Sequence, residues 1–365
     1  MNAKGSYRWL MVGSLLALAI GAGCDAVALV GGGDLFVVEE EQQPQQPLLT
    51  VERYATNTGD AAGIALDADG GLILVNNDGL FGPLEKDDDV ATLTAFGAEN
   101  VSDEATQDEF FDNIASSLVL VITNSGEYWI GTPGNVTLAV VPPGGGDAEP
   151  FTGLLNQPTP EDPSNIKPET MVIVPDNHDG DQIRPGTLLV GRETSFSELS
   201  TIDVAGDRAV INIDNPIGDP DELDNPDDAL DRYAHHLTFG PDGTLYGSSG
   251  QGRKTAPNVQ TIALDGTPTN LAGTERLAVH SFVVLPSGDL LIRGVYTPEN
   301  NPINGLMIWS AADEAVIAAS VVDLEDDFDL TLSEDDEIVL ADDGKTAYLS
   351  LVEMGEIWRA IDNRE

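Results

Sequence analysis

Two of the chain's four histidines and two of its acids stand at matching places ahead of a turn glycine, and a third histidine adjoins one of them. His235 lies eight residues before Gly243, His280 eight before Gly288 and Asp336 eight before Gly344; Glu169 holds the corresponding place ahead of the longer turn at Gly186. His236 follows directly on His235. Imidazoles and carboxylates converging on one ring would supply nitrogen and oxygen ligands to a divalent cation such as calcium or zinc. Such an ion polarises a carbonyl and lowers the pKa of a bound water, with an unligated acid or histidine as base. The same groups can instead hydrogen-bond one another and order water in a channel. Asn77 stands on a loop opening to the same side. Arg192 and Arg293 are notable because Lys and Arg number 16 against 63 acids; they could clamp a substrate carboxylate or phosphate, or pair with the acidic ring.

The elements that must position these residues are hairpins. Tyr233 to Ser249 reads YAHHLTFGPDGTLYGSS: two short runs of β-formers hinged on Pro241-Asp242-Gly243, a sequence that reverses the chain into an antiparallel partner. Degraded copies recur around Gly70, Gly126, Gly186, Gly288 and Gly344, each followed by one or two further short strands, for example Val90 to Phe96 and Leu306 to Ser310. A four-stranded antiparallel unit repeated at this spacing describes a β-propeller blade. The expected architecture is all-β, a six-bladed β-propeller over residues 48–365, with seven blades as the alternative. Closure requires Leu48 to Ala55, which lacks a partner of its own, to pair with Glu356 to Ile361 and complete the last blade. Helix signals at Ser102-Asp103-Glu104 and Asn225-Pro226-Asp227 precede two of the innermost strands.

The hairpins PDGTLY, DADGGL and PSGDLL resemble those of the six-bladed propeller superfamily that includes gluconolactonase-like, NHL-repeat and streptogramin-lyase-like proteins. The resemblance covers roughly residues 48 to 365. It implies a carboxylate and asparagine set around one divalent ion, roles that Glu169, Asn77 and Asp336 would fill. Ala62 stands where the first blade of gluconolactonase-like proteins carries a glutamate, and the histidines are foreign to that set, so lactonase chemistry does not follow from the resemblance.

Residues 1–23 read as a signal peptide: Lys4 and Arg8, an apolar run from Leu10 to Ile20, then small residues before Cys24. Cys24 is the sole cysteine, which rules out an intrachain disulfide, and its setting resembles the lipobox of bacterial lipoproteins. Lipid on Cys24 would attach the protein to a membrane of the bacterial cell envelope, on the periplasmic side or the outer surface. Residues 24–47, Gly- and Pro-rich, form the tether. A formal net charge of −47 excludes nucleic acid as a partner and fits a strongly solvated acidic surface. Asp176, Asp179 and Asp181 around Gly180 form a candidate structural calcium site, although Pro175 sits where an EF-hand loop would begin. Gly247 to Thr255 lacks the lysine and the following helix of a phosphate loop, and no Gly-x-Ser-x-Gly elbow occurs. The function expected is a membrane-anchored binding or scaffold lipoprotein presenting an axial face to a protein or small-molecule ligand. The alternative is a divalent-metal-dependent hydrolase or lyase.

Overall fold

The computed structural model describes residues 27–29, 35–37, 47–76, 79–88, 90–94, 119–131, 138–146, 149–150, 168–178, 185–192, 199–203, 209–211, 236–248, 258–262, 268–298, 301–333 and 335–364. The chain divides into a unit of residues 1–46 and a unit of residues 47–365. In the first, Val27–Leu29 pairs antiparallel with Leu35–Val37. Cys24 and most of the expected tether lie outside the described residues, as do both helix signals. Among the described residues no helix is long and apolar enough to cross a membrane.

The second unit is an all-β propeller. Its sheets follow one another along the chain, each built outward from an innermost strand. The innermost strands are Gly63–Leu66, Val119–Ile122, Pro168–Ile173, His236–Phe239, Leu277–Val284 and Ile338–Leu340. Each packs on the next, and Ile338–Leu340 packs on Gly63–Leu66, which closes the ring. A separate apolar cluster fills each boundary between consecutive sheets. Leu120, Tyr128 and Ile130 meet Ile73 and Val75 between the first and second. Trp129 meets Met171 and Leu188 between the second and third.

The turns explain why these hairpins form. Gly70, Gly126, Gly186, Gly243, Gly288 and Gly344 all have φ between 67° and 85°, the left-handed region that glycine enters without the Cβ clash. At Gly243 the N–H donates to the Gly240 carbonyl at 2.9 Å, while the Asp242 carboxylate accepts from the Thr244 N–H at 3.0 Å. Aspartate and glycine thus both satisfy the reversal locally.

Ring closure occurs as the sequence requires. Leu49–Thr56 pairs antiparallel with Glu356–Asp362, with Ala360 opposite Val51 and Ile361 opposite Thr50, so the N-terminal strand becomes the outer strand of the last sheet. The first sheet departs from expectation. Its third strand is Gly79–Phe81, whereas Val90–Thr92 leaves that sheet and meets Thr56 in parallel, beside the closing strand. A helix not foreseen, Leu324–Phe328, is capped by the Asp323 carboxylate, which accepts from the Asp326 N–H at 3.1 Å.

Candidate functional site

The residues at the head of each innermost strand form a column around the axis, and their side chains reach sideways to the next sheet. The Thr170 hydroxyl accepts from the Leu237 N–H at 3.0 Å. His236 Nε2 lies 2.9 Å from the Phe282 carbonyl, which can only accept, so Nε2 carries the proton. The Ser281 hydroxyl accepts from the Ile338 N–H at 3.1 Å, and Glu337 Oε2 from the Ile64 N–H at 3.3 Å. Each bond runs from one sheet to the residue after the column position in the following sheet. Four successive boundaries are clasped in this way, the last of them across the point where the ring closes.

These strands enclose an axial cavity of about 280 Å³, lined by residues of all the innermost strands, among them Ile64, Leu120, Val172, Phe239 and Val284. Thr170, Thr238, His236 and Glu337 supply polar groups to an otherwise apolar lining. The His236 ring also packs edge-on against Phe282, with centroids 5.1 Å apart. Glu337 is half-buried in area because it borders the cavity, yet its carboxyl is enclosed by protein. Burial pushes its pKa up to about 8; the Ile64 N–H opposes the shift and Asp335 adds to it.

Asp336 points the other way, as alternation along an extended segment requires. It is buried and pairs with Arg293 at 3.2 Å, both side chains being essentially inaccessible. Arg293 also donates to Asn304 Oδ1 at 2.9 Å and to the Ser333 carbonyl at 3.1 Å. Asp336 accepts from the Ser333 N–H at 2.9 Å and the Val352 N–H at 3.1 Å. Burial raises the Asp336 pKa, and Arg293 works against that rise. The ring position expected to hold a ligand or metal is therefore filled at Asp336 by an internal ion pair. Of the two partners expected for Arg293, a substrate anion or the acidic ring, the structure shows the second, since Arg293 is the buried partner of Asp336.

The remaining expected site residues divide between the described and the undescribed. His280 is half-buried and falls in a register shift between Val279 and Ser281. The backbone of Glu169 falls in the equivalent shift between Pro168 and Thr170, and the backbone of Arg192 pairs with Pro168. The side chains of Glu169 and Arg192, and all of Asn77, His235, Asp179 and Asp181, lie outside the described residues. Asp176 is exposed in the third hairpin turn. Among the described residues no group of three or more His, Cys, Asp or Glu is placed to hold a metal ion.

Three residues outside the expected site set matter to the ring. Glu337 follows Asp336 directly, and the strand's alternation is the signal that one of the two faces the axis. His178, buried in the third turn, has Nδ1 2.7 Å from the Gly243 carbonyl, and Asn177 Nδ2 donates to the Pro241 carbonyl at 2.7 Å. That turn therefore docks on the next.

Fold and cavity together define a β-propeller with an axial pocket. No family model matches the chain, and no curated protein matches it. Solved structures do. A protein described as a putative gluconolactonase is 12% identical with a TM-score of 0.52, covering 86% of this chain and 92% of that one. A gluconolactonase from Xanthomonas campestris, described as important in glucose secondary metabolic pathways, is 11% identical with a TM-score of 0.52, covering 86% and 89%. A virginiamycin B lyase from Staphylococcus aureus is 11% identical with a TM-score of 0.47, covering 86% and 99%. The chain has the propeller fold of the superfamily suggested by its hairpins, and at these identities the likeness is one of fold.

Proposed function

We propose that the protein is a membrane-anchored lipoprotein of the bacterial cell envelope, a six-bladed propeller that binds a ligand or partner at its axial face. The observation that carries this reading is the use made of the axial column. Thr170, His236, Ser281 and Glu337 are bonded across sheet boundaries, and Asp336 is held by Arg293. The polar groups around the axis thus maintain the ring, and the cavity inside it joins apolar side chains to a few polar groups, a surface suited to binding. Six blades are supported by the cyclic packing of the innermost strands. Anchoring is supported by the apolar run that ends at Cys24. The alternative, a divalent-metal-dependent hydrolase or lyase at the same axis, takes support from the gluconolactonase neighbours. It would have to work without Asp336, whose oxygens are already engaged.

Two measurements on the full chain expressed in a bacterial host test the reading. Mass spectrometry should find the mature N-terminus at Cys24 carrying lipid, with Cys24→Ser releasing the protein from the membrane fraction; an unmodified, soluble wild-type chain overturns the anchor. Elemental analysis combined with sugar-lactone hydrolysis tests the alternative. A stoichiometric divalent ion whose removal abolishes turnover would replace the binding role with an enzymatic one.

A further inference from the structure

We propose that the axial cavity binds one small, uncharged organic molecule bearing a hydrogen-bond acceptor, held on apolar walls by the Glu337 carboxyl. The inference rests on the binding reading above and names its ligand class.

Three observations converge on it. First, most of the lining side chains are apolar, and among the described residues none is Lys or Arg that would balance an anionic ligand. Arg293, on an adjoining strand, is committed to Asp336 and buried. Second, His236 is already engaged with the Phe282 carbonyl through Nε2. Third, Glu337 lines the cavity and uses Oε2 in the ring clasp, with no hydrogen bond to its other oxygen among the described residues.

The chemistry of that oxygen follows from its surroundings. A buried carboxyl with no Lys or Arg beside it among the described residues keeps its proton, because ionisation would leave a poorly solvated charge. Among the described residues, the titratable groups near it are Asp335 on its own segment, which disfavours ionisation further, and His236 in the cavity lining. The other neighbouring strands bring Ile64, Leu120, Val172 and Val284, none of which ionises. Near neutral pH Glu337 therefore presents an O–H donor to the cavity. A ketone, ester or amide oxygen satisfies it, whereas a carboxylate meets only acids. At about 30 Å³ per water-sized group, the space takes a ligand of roughly nine non-hydrogen atoms.

The test uses the mature full-length protein at pH 6.5 with cyclohexanone and cyclohexanecarboxylate as probes, read by saturation-transfer NMR and by methyl shifts of Ile64 and Val339. The ketone should bind and shift those methyls, and the carboxylate should not. Glu337→Gln, which retains a donor, should hold ketone affinity within about twofold. Glu337→Leu should weaken it roughly fivefold, the worth of one net hydrogen bond. Val172→Phe, which fills the cavity, should abolish binding in a protein whose circular dichroism is unchanged. Ketone binding indifferent to both Glu337→Leu and Val172→Phe overturns the inference, as does carboxylate binding equal to that of the ketone. Either result leaves the anchored-propeller reading standing, whereas a metal-dependent lactonase activity overturns that reading whatever the ketone does.

Discussion

Replacing Arg293 with methionine should cost the protein more stability than most single changes in its core. The side chain is 1% exposed, and three of its hydrogen-bond partners are Asn304, the Ser333 carbonyl and Asp336. Removing it strands the Asp336 carboxylate in the interior with the Ser333 and Val352 N–H groups as remaining donors. Loss of one partner from a buried pair costs about 3–5 kcal/mol, because the surviving charge is left uncompensated. With a urea dependence on the order of 1–3 kcal/mol per molar, the unfolding midpoint should fall by about 1 M or more. Arg293→Met combined with Asp336→Leu removes both charges and should recover most of the loss, since apolar replacements of a buried pair are often neutral. Urea titrations of the two single variants and the double variant, followed by tryptophan fluorescence, supply the cycle. The opposite assignment, in which Arg293 faces a ligand anion, requires weakened ligand binding with little change in the midpoint. A midpoint shift below about 0.3 M for Arg293→Met would refute the buried-pair argument.

Gly243→Ala and Gly288→Ala form an informative pair. Both positions have left-handed φ, 82° and 85°, and each should lose about 1–2 kcal/mol to backbone strain. At Gly243 the added Cβ would also come 2.8 Å from the Asn177 carbonyl oxygen, whereas at Gly288 nothing lies within 4 Å. Gly243→Ala should therefore lower the thermal midpoint further, and equal midpoints would mean that the third turn does not press on the fourth. Glu337 should give a pH signature. Its folded pKa of about 8 lies above the ordinary glutamate value of 4.5, so its contribution to stability is complete below about pH 4.5 and is lost as pH rises to about 8. Urea midpoints should consequently fall less across pH 5–8 in Glu337→Gln than in the wild type; parallel profiles would show that Glu337 ionises normally in the folded state.

Much of the fold was legible because it is written in local chemistry. Asp-Gly and Ser-Gly turns need no distant partner, and six glycines read from the sequence as turn residues all adopt left-handed φ. The unpartnered strand at the N-terminus pointed to its C-terminal mate for the same reason, since an exposed edge has to be covered. The fate of Val90–Thr92 was not legible, because which edge a short strand joins is decided by where the preceding loop delivers it. The column of axial residues could be aligned, but not its side-chain directions. Register shifts at Glu169 and His280 depend on the hydrogen-bond ladder, which composition does not encode. Likewise, the scarcity of basic residues drew notice to Arg293, but the length of an arginine side chain lets it reach either solvent or a neighbouring sheet.

The column also separates two ways of holding neighbouring sheets together. Four boundaries carry a side-chain to backbone clasp, and the two others begin at Gly63, which has no side chain, and Val119, which has no polar atom. Those boundaries hold the clusters built on Tyr128 and Trp129, with Trp129 fully buried against the third sheet. The boundary between the third and fourth sheets carries the Thr170 clasp and the small cluster of Val174, Leu189, Leu237 and Leu245. The clasped boundaries are not short of apolar area, since Phe282 and Trp309 fill that between the fourth and fifth sheets and Trp358 joins the large cluster between the fifth and sixth, so there the directional bonds act together with apolar packing. A clasp through Glu337 therefore does two things that a valine at that position could not. It ties the last sheet to the first across the closure, and it puts a carboxyl-bearing side chain in the lining of the axial cavity.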